Sequence, residues 1–209
     1  MKPNSKRSPG RPRKSGGNDT QTAQYILRTA SASFMQYGYE KVSVDQIAKA
    51  CEVTKATVYY HYENKASLFT YSVVQMFANV CAHVDKFLSM PIPLKERLTA
   101  MAKVQMRNSF SEFETLMKEA SSHLTTEQIS AIREAEQSIH HLMSAAFETA
   151  INAGQLRKIS PMLLSIAFSS LLMMGNRELA MNLFEQDSDQ AAEAIVELFW
   201  HGALSENPT

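Results

Sequence analysis

Residues 42–69, which read VSVDQIAKACEVTKATVYYHYENKASLF, carry the strongest structural signal in the chain. Ser43 followed three positions later by Gln46 is a capping box, which predicts the start of a helix. Thr54 is placed to cap a second short helix, and Asn64 to cap a third, longer one. The stretch therefore predicts two short helices on either side of a tight turn, as in a DNA-binding helix-turn-helix.

The segment that follows Thr54 is rich in hydrogen-bond donors and poor in apolar side chains. Only Ala56 and Val58 can pack or allow close approach. An α-helix about 10–12 Å across fits the major groove of DNA, which is about 12 Å wide. We therefore expect this helix to enter a groove; the alternative is a solvated helix whose tyrosines have no role.

The segment from Ile26 to Phe69 resembles the head of the tetracycline-repressor (TetR) family. The motif elements that carry the resemblance are Gly38, Ser43, Ile47, Ala48, Val53 to Thr57, Val58 to Tyr62, Asn64, Lys65 and Leu68. Glu52 departs from the pattern, because the family usually has Gly in this turn, and a positive φ there would be mildly strained. The resemblance implies an all-α fold, with a three-helix helix-turn-helix head followed by a helical domain for ligand binding and dimerisation. It also implies a transcriptional regulator, most often a repressor released by a small molecule.

The resemblance assigns roles to individual side chains. Lys55, Ala56 and Thr57 match residues that face base edges. Tyr59, Tyr60, His61 and Lys65 match residues that touch phosphates. The chemistry agrees, since Lys can donate to guanine, and a cation at a helix start adds to the amides that already favour an anion there. The full set of predicted DNA contacts is Ser43, Thr54, Lys55, Ala56, Thr57, Tyr59, Tyr60, His61, Lys65, Arg11 and Arg13.

Charge is distributed unevenly along the chain, although its formal net charge is zero. Residues 1–71 hold eleven Lys and Arg against five Asp and Glu, a surplus of six positive charges. Residues 72–209 therefore carry a surplus of six negative charges. This division is typical of a protein that meets nucleic acid at one end only.

Residues 1–19 are rich in Pro, Gly, Ser, Lys and Arg, and we expect them to form a disordered basic arm. Gly10-Arg11-Pro12, with Arg13 beside it, resembles an AT-hook, in which arginine lies in a narrow minor groove. The alternative is a tail that only aids solubility. If the arm dominated binding, the protein would be a sequence-tolerant architectural DNA-binding protein, which is the rival function.

Helical periodicity continues to the end of the chain, and no segment shows a strand pattern. We divide it into a DNA-binding domain at 20–66 and an effector-binding and dimerisation domain at 67–204. The run Met162 to Met174 is apolar almost all round, which favours burial against a partner subunit, with a monomer core as the alternative. A homodimer would read a palindromic operator. The resemblance implies that the final two helices form a four-helix dimer interface, and the predicted interface residues are Leu171, Leu172, Phe199 and Trp200.

Methionine is frequent, with twelve in 209 residues. Four methionines lie in the central helices, where the family keeps an effector pocket. Thioether side chains adapt to varied ligands, but they are equally good core fillers. The candidate pocket residues are Met101, Met106, Met117 and Met143.

No motif for catalysis, a cofactor or a metal stands out. Glu136 and His140 are four positions apart, with His141 and His123 near in sequence, but no established zinc motif contains them. A small helical enzyme using Glu136, His140 and His141 is the rival from another class. We expect a regulator that is not an enzyme, without cofactor or metal, in the cytoplasm, since no segment has the length of a membrane span.

Overall fold

The computed structural model describes residues 16–107, 113–175, 177 and 181–204. These residues form helices and turns, with an isolated bridge between Leu156 and Leu204 and no sheet among them. The prediction of an all-α chain is confirmed. The helices are α1 (Gly16–Tyr37), α2 (Val44–Ala50), α3 (Lys55–His61), α4 (Lys65–Leu88), α5 (Leu94–Arg107), α6 (Phe113–Ala120), a 3-10 turn (Ser121–His123), α7 (Thr126–Asn152), α8 (Pro161–Gly175) and α9 (Ser188–Ala203).

Helix α1 begins at Gly16, so the last four residues of the arm predicted at 1–19 are helical and the prediction is corrected there. Asp19 lies in the first turn, where a negative charge is favourable to the exposed amides. Residues 1–15, including Arg11 and Arg13, lie outside the described residues.

The head core forms where α1 packs against α2, α3 and the start of α4. Ile26, Ala30 and Phe34 of α1 are fully buried, as their helical spacing predicts. The ring of Phe34 meets Phe69 of α4 edge-on, with centroids 5.1 Å apart. The Tyr62 hydroxyl donates to the Ala23 carbonyl at 2.9 Å and ties the end of α3 to α1.

Helix α4 runs from this core into a second one. The first core also takes buried residues from α6 and α7, among them Met117 and Ile132, so it draws on both sides of the boundary predicted at residue 66. The second core lies between the end of α4 and helices α5, α7, α8 and α9. The head is therefore packed directly against part of the helical body.

Three ion pairs between antiparallel helices join α5 to α9 on the surface of the second core. The pairs are Lys95 with Glu197 at 2.5 Å, Lys103 with Glu193, and Arg107 with Asp189 at 2.5 Å. Exposed pairs of this kind contribute little singly, so the apolar core accounts for most of the packing.

Helix α8 has two different faces. Leu164, Phe168 and Leu172 are buried within the single chain. The opposite face leaves four large apolar side chains exposed, namely Leu163, Ile166, Met173 and Met174, at 46–56% of their full accessible area. In the described part of the chain, no helix is long and apolar enough to cross a membrane.

Two of the predicted dimer residues are corrected by this arrangement. Leu172 is 1% exposed and Phe199 is 5% exposed, because both fill the second core and Phe199 packs edge-on against Phe168. They present no surface to a partner. Leu171 and Trp200 are half-buried at the edge of the same core.

Candidate nucleic-acid interface

Helix α2 begins at the predicted capping box, which is confirmed. The Ser43 hydroxyl accepts the Gln46 backbone N–H at 3.2 Å, and the Gln46 side chain accepts the Ser43 N–H at 2.7 Å. Val44, Ile47 and Ala48 are buried in the head core. These contacts fix the helix that supports α3.

The turn between α2 and α3 contains a strained residue. Glu52 has a φ of +55°, in the left-handed region that favours glycine. The Val53 N–H donates to the Ala48 carbonyl at 3.0 Å and closes the turn. Glu52 thus replaces the glycine of the family pattern at a position whose backbone conformation favours glycine.

Helix α3 presents its polar side to solvent. Thr54 caps it as predicted, accepting the Thr57 N–H at 3.1 Å. Within α3, all of whose residues are described, only Val58 is buried. Tyr60 is 76% exposed and Tyr59 is 40% exposed. Lys55 and Ala56 are exposed as well, whereas Thr57 is half-buried beside the Thr54 hydroxyl.

Lys55 is held by an acidic partner that sequence reasoning missed. Its ammonium donates to the Asp45 carboxylate at 2.7 Å, and both side chains are about half exposed. This hydrogen bond and the charge of Asp45 raise the pKa of Lys55. Asp45 stands out as an acidic residue in the first turn of α2, directly beside the cap, and that position is the signal that could have revealed it.

His61 does not face outward as predicted, and its assignment to phosphate is corrected. Its side chain is only 10% exposed, and Nε2 lies 3.5 Å from Asp19 Oδ1 without a hydrogen bond in the described structure. The ring packs against Tyr60 and Tyr62. His61 therefore joins the end of α3 to the first turn of α1.

Lys65 lies at the first position of α4, directly after the cap residue Asn64, whose side chain accepts the Ser67 N–H at 2.8 Å. The Lys65 ammonium is 4.3 Å from the centre of the Tyr39 ring and 3.4 Å from the Glu40 carbonyl oxygen. Burial lowers the pKa of Lys65, and the charge of Glu40 acts in the opposite direction. The cation is thus held at the helix start, where exposed amides favour an anion.

The candidate metal residues have other partners. Glu136 accepts from Arg133 at 2.8 Å, and His140 Nδ1 is 2.9 Å from the buried Ser165 hydroxyl. The His123 Nε2 lies 2.8 Å from Glu40 Oε1, in the loop between α1 and α2. Among the described residues, no three histidine, cysteine or carboxylate side chains come together in a group that could hold a metal ion.

The four candidate pocket methionines divide between the two cores. Met101, Met106 and Met143 are buried in the second core. Met117 is buried in the first core and also lines an open cleft of about 460 Å³ between α6 and α7. The other residues that line this cleft are Glu114, Thr115, Lys118, Ser121, Ile129 and Arg133.

Comparisons with known proteins agree with this architecture. Residues 26–71 match the family model for bacterial regulatory proteins of the tetR family. The chain is similar to the uncharacterized HTH-type transcriptional regulator YhgD of Bacillus subtilis, with 24% identity over 148 residues, 70% of this chain and 78% of that protein. It is also similar to the probable acrEF/envCD operon repressor of Escherichia coli, with 44% identity over 48 residues, 23% of this chain and 22% of the repressor.

The fold extends the likeness beyond the head. The crystal structure of AibR in complex with isovaleryl coenzyme A and operator DNA matches with a TM-score of 0.62 and 22% identity, covering 85% of this chain and 97% of that chain. A helix-turn-helix head on a helical body defines a DNA-binding transcriptional regulator. Residues 26–71 therefore match the DNA-binding head of the tetR family of bacterial regulatory proteins, and the described fold is that of solved TetR-family regulators.

Proposed function

We propose that the protein is a homodimeric, sequence-specific repressor that reads a palindromic operator through α3 and is released by a small-molecule effector. The observation that carries the proposal is the exposure of α3. This short helix is capped at Thr54, buries only Val58 among its own seven described residues, and presents hydrogen-bond donors to solvent. Such a surface suits a major groove better than a protein core.

In this proposal, Lys55, Ala56 and Thr57 face base edges, while Tyr59, Tyr60 and Lys65 face phosphates. Ser43 and Thr54 begin the two helices on the DNA side. Arg11 and Arg13, from the arm, would add contacts in an adjacent minor groove, which increase affinity more than sequence choice. Residues 20–66 then act as the DNA-binding domain and residues 67–204 as the regulatory domain.

Selection of bound fragments from host genomic DNA, followed by fluorescence anisotropy on the selected duplex, tests the proposal. Lys65→Ala should weaken binding to all duplexes and reduce the salt slope by about one, because one phosphate contact is lost. Thr57→Ala should change the order of preference among duplexes. Lys86→Ala, at the other end of α4, and Thr149→Ala on α7 are the matched controls. Sequence-blind binding by the parent and by all variants would contradict base reading.

Removal of residues 1–15 separates the proposed regulator from an architectural protein. The shortened chain should keep its preference for the selected duplex and lose only part of its affinity. Loss of all binding would favour the architectural function, since the arm would then carry the interaction.

The exposed face of α8 supports the homodimer. Leu163, Ile166, Met173 and Met174 form an apolar surface of the kind that marks a protein contact, and Leu198 of α9 is 62% exposed. A dimer through this face would present two heads to two half-sites. Leu171 and Trp200, which are half-buried, would lie at its edge.

Similar proteins support repression and effector release. The Escherichia coli relative is named as an operon repressor, and AibR was crystallised with isovaleryl coenzyme A and operator DNA. Here, the effector would bind only a conformation of the body in which the two heads do not fit the two half-sites. It would weaken DNA binding by the difference between its affinities for this conformation and for the DNA-binding one. Met101, Met106 and Met143 of the second core, and Met117 beside the cleft between α6 and α7, are the proposed effector-site residues, because their side chains are adaptable.

A further inference from the structure

Residues 38–40, the first half of the loop that joins α1 to α2, are held by the helical body. The Tyr39 backbone N–H donates to Glu119 Oε2 of α6 at 3.1 Å. Gly38 has a φ of +85°, and a Cβ added there would lie 2.6 Å from the same oxygen. The Glu119 carboxylate therefore rests against backbone that only glycine leaves open.

His123, in the 3-10 turn after α6, holds the side chains of Tyr39 and Glu40 in this segment. Its Nε2 lies 2.8 Å from Glu40 Oε1, and its ring stacks on Tyr39 with centroids 5.2 Å apart and planes inclined by 28°. Glu119 and His123 thus place both the backbone and the acidic side chain of the loop.

Lys65 meets the same loop from the head. Its ammonium lies over the Tyr39 ring and near the Glu40 carbonyl oxygen. Because the Glu40 carbonyl oxygen is 3.4 Å from the Lys65 ammonium, the carboxylate of the same residue lies near enough for its charge to act on that ammonium. Its effect raises the pKa of Lys65, against the effect of burial. A carboxylate in that position competes with any phosphate for Lys65.

From these contacts we infer that His123 is a positioning residue for DNA binding, which engages the Glu40 carboxylate and keeps Lys65 available to a phosphate. Glu119 fixes the loop backbone on which this depends. The inference rests on the proposed function, since it concerns Lys65 as a phosphate contact. It also identifies a route of control, because α6 and the 3-10 turn line the cleft at Met117 and Ser121. A shift of these elements would move His123 and release Glu40 toward Lys65.

The test uses the full-length protein and the duplex selected from genomic DNA, with anisotropy measured over a range of salt concentrations. His123→Ala should weaken binding about threefold, the scale of an exposed ion pair, and should flatten the salt slope by up to about 0.9. His123→Gln keeps an N–H donor for Glu40 and should bind as the parent does. His83→Ala is the matched control, because His83 is an exposed histidine of α4 whose Nδ1 lies 2.7 Å from the Asn79 carbonyl oxygen of the same helix.

Double variants distinguish this role from a general loss of structure. His123→Ala combined with Glu40→Gln should regain the parent's affinity and slope, because the competing charge is gone. In a Lys65→Ala background, His123→Ala should have no further effect. Circular dichroism and a melting curve check that each variant is folded.

Several results would overturn the inference. They are an unchanged affinity in His123→Ala, a failure of Glu40→Gln to restore it, or a continued loss in the Lys65→Ala background. If His123→Ala does not fold, the affinity of the single variant Glu40→Gln tests the inference. Weaker DNA binding by Glu40→Gln than by the parent would contradict competition between Glu40 and phosphate for Lys65. A parent that binds no selected duplex contradicts the proposed function instead.

Discussion

The ammonium of Lys55 is bound to Asp45, so a base edge must compete with a carboxylate for it. Asp45→Asn removes the competing charge and also a negative group near the DNA. We expect severalfold tighter binding of the selected duplex and a steeper dependence on salt. Anisotropy titrations at three salt concentrations measure both, and Glu148→Gln on α7 controls for the change in net charge. Weaker binding by Asp45→Asn would mean that Asp45 positions Lys55 for DNA instead of competing for it.

Glu52 has a strained backbone conformation in the turn between α2 and α3. A non-glycine residue in the left-handed region destabilises the folded state by roughly 1–2 kcal/mol. Glycine removes this strain, but it also increases the conformational entropy of the unfolded chain, which offsets part of the gain. Glu52→Gly should therefore raise the free energy of unfolding by about 1 kcal/mol, measured by urea denaturation. Glu52→Gln retains the strain and removes the charge, so it should leave stability unchanged. An equal gain in both variants would assign the effect to charge.

Short helices depend heavily on their first turn, and α2 has only seven residues. Ser43→Ala removes the cap and should lower the free energy of unfolding by about 1 kcal/mol. It should also weaken DNA binding, because α2 supports α3. Thr125→Ala breaks the same kind of capping box on α7, where the Thr125 hydroxyl accepts the Gln128 N–H at 3.3 Å. Thr125→Ala should lower the free energy of unfolding by a similar amount and leave the affinity of the folded protein for DNA unchanged. An equal loss of DNA affinity in Ser43→Ala and Thr125→Ala would contradict a local role for α2.

Helix starts were predictable from the sequence because the capping contacts are local. The caps at Ser43, Thr54, Asn64 and Thr125 are each made by side chains within three residues of the backbone that they bond. Contacts between elements were harder to predict. The inward turn of His61 depends on Asp19 of another helix.

The buried face of α8 could not be predicted from the sequence either. An apolar stretch on every side gives no periodicity from which the buried face can be chosen. Sequence reasoning therefore placed Leu172 toward a partner, whereas the structure buries it and exposes Leu163 and Ile166. The partner of Lys55 was missed for a related reason, because the α2–α3 crossing decides which first-turn side chain meets it.

At the scale of the whole molecule, the charge is divided along the chain, and the two cores share helices α4 and α7. The basic surplus of residues 1–71 comes entirely from residues 1–15, which hold six Lys and Arg and no Asp or Glu, whereas residues 16–71 hold five of each sign. The acidic surplus lies in residues 72–209. Because α6 and α7 also fill the head core, a change in the body has a packed path to the head. This continuity supports effector control of DNA binding through relative movement of α6.

The exposed face of α8 allows the proposed dimer to be tested in full. Ile166→Glu places a charge in an apolar contact, twice in a symmetric dimer, and should raise the dimer dissociation constant at least about 100-fold, given the several kcal/mol that such groups cost. Sedimentation equilibrium measures this constant. Tyr37→Glu changes a similarly exposed apolar residue on α1, 55% exposed against 46% for Ile166, and should leave the dimer intact. The monomeric variant should also lose affinity for a two-half-site duplex, because each head then binds alone. A variant that remains a dimer at micromolar concentration would place the interface elsewhere and leave the apolar face of α8 without this role.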